Sequence, residues 1–267
     1  MTTVRRAPGA AAALLLLAVL AAPAARASDH NNIDAGRPLR FDDAETIAFG
    51  ERDFEYGLSL GLGRGRAAGL GLTAEYLVGV ALNTHVSVGI DASVGGRADN
   101  GNDTGLDIGG VGIGVLHNFN REYGGTPAFS LRGDVFLPTG RGGAHGADLR
   151  LRAILSRAHG PYGRLHLNAD AAFAIDPGEN ERTFRPALTL GYSVPLGYPT
   201  RFDRTGLAEI GIRSGEERGT VVSGGVGLRQ QVTPRAVIDA GIQSDLAGSR
   251  RAPRETLRLV AGYSTAF

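Results

Sequence analysis

From residue 54 to the carboxyl terminus, apolar side chains recur at every second position, broken only by short glycine-rich or charged turns. A two-residue repeat marks an extended strand with one apolar face and one polar face. "FEYGLSLGL" (54–62) sets Phe54, Tyr56, Leu58, Leu60 and Leu62 against Glu55, Gly57, Ser59 and Gly61. "VSVGIDASV" (86–94) sets Val86, Val88, Ile90, Ala92 and Val94 against Ser87, Gly89, Asp91 and Ser93. The chain ends on the same alternation, "LRLVAGYSTAF" (257–267), with Leu257, Leu259, Ala261, Tyr263, Thr265 and Phe267 on one side. Counting segments of this kind predicts twelve strands, the others near 70–80, 107–117, 129–137, 148–156, 163–173, 184–194, 207–213, 220–230 and 236–244. The fourth is the least regular, and a bulge is expected at Gly109-Gly110.

An even set of antiparallel strands with one apolar face closes into a barrel in two ways. A lipocalin-like barrel turns the apolar face inward; a transmembrane barrel turns it toward lipid. The polar face discriminates. By parity it carries Glu75, Asp91, Arg132, Asp134, Arg150, Arg152, Arg164, His166, Asp170, Arg185, Glu209, Arg229, Asp239 and Arg258, interspersed with many of the 41 glycines. Glycine suits a crowded, curved interior and has no purpose on a soluble barrel's outside. The apolar face carries no charge, as lipid contact requires, and closure pairs every backbone group within the sheet. The fold class expected is therefore all-β, a transmembrane antiparallel up-and-down barrel of about twelve strands. The fourteen polar residues are expected to line its lumen, as a charge filter for solutes or as an ion-paired core that stabilises closure.

Aromatic residues agree. With the first strand starting on the periplasmic side, Phe54, Tyr56, Phe119, Tyr123, Phe129, Tyr162, Tyr192, Tyr198, Phe202, Tyr263 and Phe267 fall at or near periplasmic ends or turns, as an interfacial girdle does. Connections after odd strands, such as "GRADNGNDTG" (96–105) and "AGSRRAPRE" (247–255), are polar and are expected outside the cell.

Three segments divide the chain. Residues 1–27 read as a signal peptide: Arg5 and Arg6 precede an apolar run that is too short to span a bilayer, and "ARA" (25–27) fits a cleavage site. Residues 28–51 are polar and aperiodic, an amino-terminal periplasmic or lumenal extension. Residues 52–267 form the barrel. The chain has no cysteine, which removes disulfides and thiolate metal sites, and its formal net charge of +1 offers no field for nucleic acid.

Catalytic and metal residues are not expected, and neither is a cofactor. Among the histidines only His117 falls on the lipid side, and no nucleophile motif of the Gly-x-Ser-x-Gly type accompanies it, which weakens a lipid-hydrolysing reading. "GLGRGRAAGLG" (61–71) lacks the Gly-Lys-Ser/Thr of a phosphate loop and sits in a hairpin.

The terminal pattern, Phe267 preceded by Tyr263, resembles the carboxy-terminal signal of bacterial outer-membrane barrels, which implies recognition by the barrel assembly machinery. More narrowly, "RPLRFDDAETIAFGERDFEYGL" (37–58) and "FSLRGDVFLPTG" (129–140) are similar to the outer-membrane transporter family labelled "MetA-pathway of phenol degradation". The resemblance implies a Gram-negative outer-membrane channel for small molecules, aromatic or apolar compounds among them, with membrane lipid and lipopolysaccharide as surroundings. A barrel with a sealed lumen, working through its charged outer loops, is the alternative.

Overall fold

The computed structural model describes residues 33, 36–63, 68–95, 106–138, 147–175, 177, 182–201, 203–215, 219–249 and 255–267. The proposed signal peptide, His145, Phe202 and most of the loops after odd strands lie outside them.

Twelve strands form one closed antiparallel sheet in which each pairs with its sequence neighbours and β1 pairs with β12. They are β1 (Arg52–Gly63), β2 (Gly69–Ala81), β3 (Thr84–Gly95), β4 (Leu106–Asn120), β5 (Ala128–Pro138), β6 (Asp148–His159), β7 (Gly163–Ala174), β8 (Phe184–Pro195), β9 (Arg204–Ser214), β10 (Thr220–Thr233), β11 (Ala236–Gly248) and β12 (Glu255–Ala266). Closure runs from Asp53 opposite Ala266 to Gly63 opposite Glu255, and the Phe267 amide donates to the Arg52 carbonyl at 3.0 Å. In β4 the register slips where Asp91 faces Gly110 and Ala92 faces Ile108, leaving Gly109 as the extra residue. Several strands outrun their periodic cores: β4 continues through Asn118 to Asn120, and β9 begins at Arg204 rather than 207.

The outer surface is apolar. Leu58, Leu72, Val88, Ile113, Leu151, Leu190, Ile210 and Ile242 stand exposed on it. Aromatic pairs ring the mouth that carries both ends of the barrel: Phe54–Tyr56, Tyr76–Phe267, Phe119–Phe129 and Tyr162–Tyr198 have centroids 4.3–6.0 Å apart.

The buried side chains are inside the barrel, and residues 36–50 share that space. Leu39, Phe41 and Ala44 are fully buried there. Leu39 and Phe41 pack with Ile33 and Leu207; Ala44 packs with Leu116, Ala128 and Ile154. An internal strand face that is mostly polar thus acquires two small apolar cores, each completed by the amino-terminal segment.

Candidate functional site: a lumen threaded by the chain itself

Residues 37–50 touch all twelve strands. Arg37 donates to Glu55 and Ser264, each at 3.1 Å, and approaches Asp239 at 3.7 Å. Pro38 and Leu39 lie against Gly225 and Gly227 on β10. The Arg40 amide donates to Glu209 at 2.7 Å and its guanidinium to Gln243 at 3.0 Å. Phe41 covers Gly191 on β8 and sits 5.2 Å from the His166 ring. Asn168 makes a two-way pair with the Asp42 backbone, accepting at 2.7 Å and donating at 2.9 Å. The Ala44 amide donates to Ser156, and its carbonyl accepts from Asn118 and Ser130. The Ile47 amide points to His85 Nδ1, and Gly50 donates to the Gly79 carbonyl.

This accounts for several of the inward glycines. A Cβ at Gly57 would lie 2.7 Å from Arg37 Cδ, at Gly227 2.8 Å from Pro38 Cγ, and at Gly241 2.7 Å from the Pro38 carbonyl oxygen. At Gly79, Gly191 and Gly262 it would collide with Ala48, Phe41 and Arg37. Real Cβ atoms do not tolerate such distances, so these positions form a groove shaped to the segment.

The buried charges are paired across strands. Arg132 and Arg150 both bond Asp134, and Arg132 also reaches Glu75 at 2.8 Å. Arg152 joins Asp42 of the segment to Asp170 of β7, each at 2.7 Å. Arg164 meets Glu45 at 2.9 Å and Glu122 at 3.6 Å. Arg185 pairs with Asp148. His166 bridges Ser156 and Ser193, both at 2.9 Å. Arg229 faces Asp239 across β10 and β11. In the segment, burial opposes the Asp42 charge, but Arg152, Arg132 and Arg150 outweigh it and hold the carboxyl below the usual range. For its neighbour Asp43, burial and then the Glu45 carboxylate push the value up to about 8, against the amides of Ile33 and Glu45.

The fourteen residues expected inward all lie on the inner face, but in different settings. His166, Arg229, Asp239 and Glu209 are packed beneath the segment, away from open space. Glu75, Asp91, Arg132, Asp134, Arg150 and Arg258 border a cavity of about 230 Å³. Arg150, Arg152, Asp170, Arg185 and Arg258 border a second, of about 400 Å³. Gly36, Arg150 and Arg258 belong to both. Several contributors were not among the fourteen, Arg37 and Glu55 at the first cavity among them. Arg213 borders the second cavity and forms a two-bond pair with Asp245 at 2.9 and 3.0 Å; it lies four residues from Glu209 and so shares its face. Phe136, in phase with Arg132 and Asp134, borders the first, with Arg150 over its ring at 5.2 Å. Arg40 comes from the segment, where no period could point to it.

Outside, Tyr263 lies opposite Tyr56 and Ile238 on neighbouring strands, and Phe267 packs toward Tyr76. His117 faces outward, bonded to Thr84 at 2.8 Å and edge-on to Phe119. No group of metal ligands occurs among the described residues.

A closed twelve-stranded barrel with an apolar exterior and a charged, segment-filled interior belongs to the architectural class of outer-membrane barrels. No family model matches the chain, and no curated protein matches its sequence. Solved structures share its fold. An outer membrane channel from Pseudomonas putida F1 aligns with a TM-score of 0.68 at 12% identity, over 88% of this chain and 100% of that one. The NanC porin aligns with a TM-score of 0.56 at 9% identity, over 80% and 98%. The KdgM porin gives 0.51 at 12% identity, over 80% and 99%.

Proposed function

We propose that the chain is an outer-membrane channel for small molecules, held closed in this conformation by residues 36–50 of its own sequence. The observation that carries the reading is the division of the lumen: one segment crosses the half nearest the chain ends, with a cavity of about 660 Å³ at that mouth and two charged cavities on its other side. A barrel that served only as a scaffold would have no need of charged space. The fold shared with an outer membrane channel and two porins supports the same reading.

Its placement follows from several features together. The apolar exterior suits lipid, with lipopolysaccharide around the outer rim; residues 1–27 suit export; Tyr263 and Phe267 suit recognition by the barrel assembly machinery. The resemblance of residues 37–58 and 129–140 to the phenol-degradation transporter family favours small organic solutes, including aromatic ones, and Phe136 beside Arg150 gives such a ring an inward-facing partner.

One observation favours a second reading, a permanently sealed barrel: the segment is anchored to every strand. Planar-bilayer recording separates the two. The mature chain is expected to open rarely, and a variant lacking residues 28–49 to conduct at several times the current while keeping the heat-modifiable gel shift of a folded barrel. A folded deletion variant that stays silent would establish the sealed barrel instead.

A further inference from the structure

The two cavities differ in charge. The smaller is balanced, with Arg37, Arg132, Arg150 and Arg258 facing Glu55, Glu75, Asp91 and Asp134. The larger is bordered by Arg40, Arg150, Arg152, Arg185, Arg213 and Arg258, and by Asp170 as its one carboxylate. Most of these arginines are already committed: Arg150 to Asp134, Arg152 to Asp42 and Asp170, Arg185 to Asp148, Arg213 to Asp245, and Arg40 to Gln243 and Glu255. Arg258 is different. Among the described residues it makes no hydrogen bond or ion pair, although it is only half-buried and stands at the junction of both cavities. Its register partners are Gly61 and Gln243, so no acid faces it across either strand pair.

Neighbouring cations act on it, and Asp91 of β3, which borders the smaller cavity, is an acid within its electrostatic reach. Burial, then Arg213 and Arg258, hold the Arg40 guanidinium below its ordinary value, against the acids Glu209 and Asp245. Repulsion of this kind, in a space partly screened from bulk water, is relieved by an anion. Guanidinium offers a planar fork that matches a carboxylate. The Thr189 and Ser223 hydroxyls border the same space and supply neutral donors.

We infer that the larger cavity is a binding site for small solutes bearing carboxylate groups, with Arg258 as the free anchor and Arg40 and Arg213 as flanking cations. The site deepens the channel reading, since it assigns a solute class to the vestibule outside the closing segment. Only Gly36 and Arg40 of that segment border it, so binding and conduction can be scored separately.

The test is saturation-transfer NMR on the full mature chain, folded in detergent at low ionic strength, with succinate and with uncharged succinamide as probes. Succinate is expected to bind at least tenfold more tightly than succinamide, and Arg258→Gln to weaken succinate at least fivefold. Arg258→Lys should retain part of the affinity. Asp91→Asn, in the balanced cavity, should leave it unchanged or slightly raised. Equal affinity for the two probes, or full succinate affinity in Arg258→Gln, would overturn the site. If succinate binds as expected while the deletion variant above never conducts, the site stands and the channel fails. Conduction without succinate preference gives the reverse.

Discussion

Arg152 and Arg258 are the same residue type on the same inner face and border the same cavity, yet they are held very differently. Arg152 is almost wholly buried and held between Asp42 and Asp170. Arg258 borders open space and has no partner among the described residues. The half of the lumen that Arg152 ties to the segment is organised like a protein core: apolar clusters, paired charges, and glycines where the chain passes close. The half that holds Arg258 is a vestibule bordered by more arginines than carboxylates, most of the arginines paired with acids behind the wall. A buried ion pair fixes a conformation and is costly to break, whereas an unpaired arginine in a wet cavity adds little to stability and is free to bind. Residues 36–50 create this division, because their contacts fall on one half of the inner face.

The largest effect is expected where the core-like half loses a cation. Arg152→Ala leaves Asp42 and Asp170 facing each other in a buried site, and removing one partner of such a pair costs about 3–5 kcal/mol. Equilibrium unfolding in detergent, followed by the gel shift of the folded barrel, should register the loss. Adding Asp42→Asn and Asp170→Asn should restore part of it. A loss below 1 kcal/mol, on the order of a single exposed pair, would erase the distinction between the two halves.

The barrel was legible in the sequence because a strand's faces alternate with a period of two, and turns punctuate it. Parity alone put Arg132, Asp134, Arg150 and Asp170 on one face, and register then brought Asp134 opposite Arg150 and Arg152 opposite Asp170. Parity also carried Arg213 and Phe136, for each lies in phase with a residue already placed inside. The segment was not legible. It is aperiodic, and its partners, such as Ser264 for Arg37 and Asn168 for Asp42, are up to 227 residues away. Its trace was nevertheless present in the inward glycines Gly191, Gly227 and Gly241. They were read as relief for a crowded wall, and what crowds that wall is the segment. Nor could composition show the charge imbalance between the cavities, because near-equal totals of arginine and carboxylate on the inner face say nothing about which of them meet.

A smaller, condition-dependent effect should come from Asp43. Its carboxyl is buried, accepts from the Ile33 and Glu45 amides at 2.9 Å, and titrates at about 8. Around it stand Glu45, Asp42, Glu55, His85 and Arg132, with Arg164 beyond Glu45. An undocked Asp43 releases its proton near the ordinary value of about 3.9. Between these two values the docked state holds a proton that the undocked state has lost, so docking weakens as pH rises. Its contribution is complete below about pH 4 and spent once pH passes about 8. Opening events in bilayers should therefore be more frequent at pH 9 than at pH 5, and Asp43→Asn should flatten that dependence. A pH response of opposite sign would mean that another group governs the segment.

The smallest effect on stability is expected at Arg258, and this contrast is the sharpest. Arg258→Gln removes no ion pair or hydrogen bond among the described residues; it takes one like charge away from Arg40 and one opposite charge away from Asp91. A surface-like substitution without partners stays within about 0.5 kcal/mol, the lost repulsion from Arg40 and the lost attraction to Asp91 opposing each other. Unfolding midpoints of Arg258→Gln and the parent chain, measured side by side with Arg152→Ala, should place the two arginines at opposite ends of the scale. The same Arg258 variant is expected to lose most of its carboxylate affinity, so one substitution separates function from folding. A destabilisation comparable to that of Arg152→Ala would instead show Arg258 to be a structural cation, and the vestibule would then be a second core.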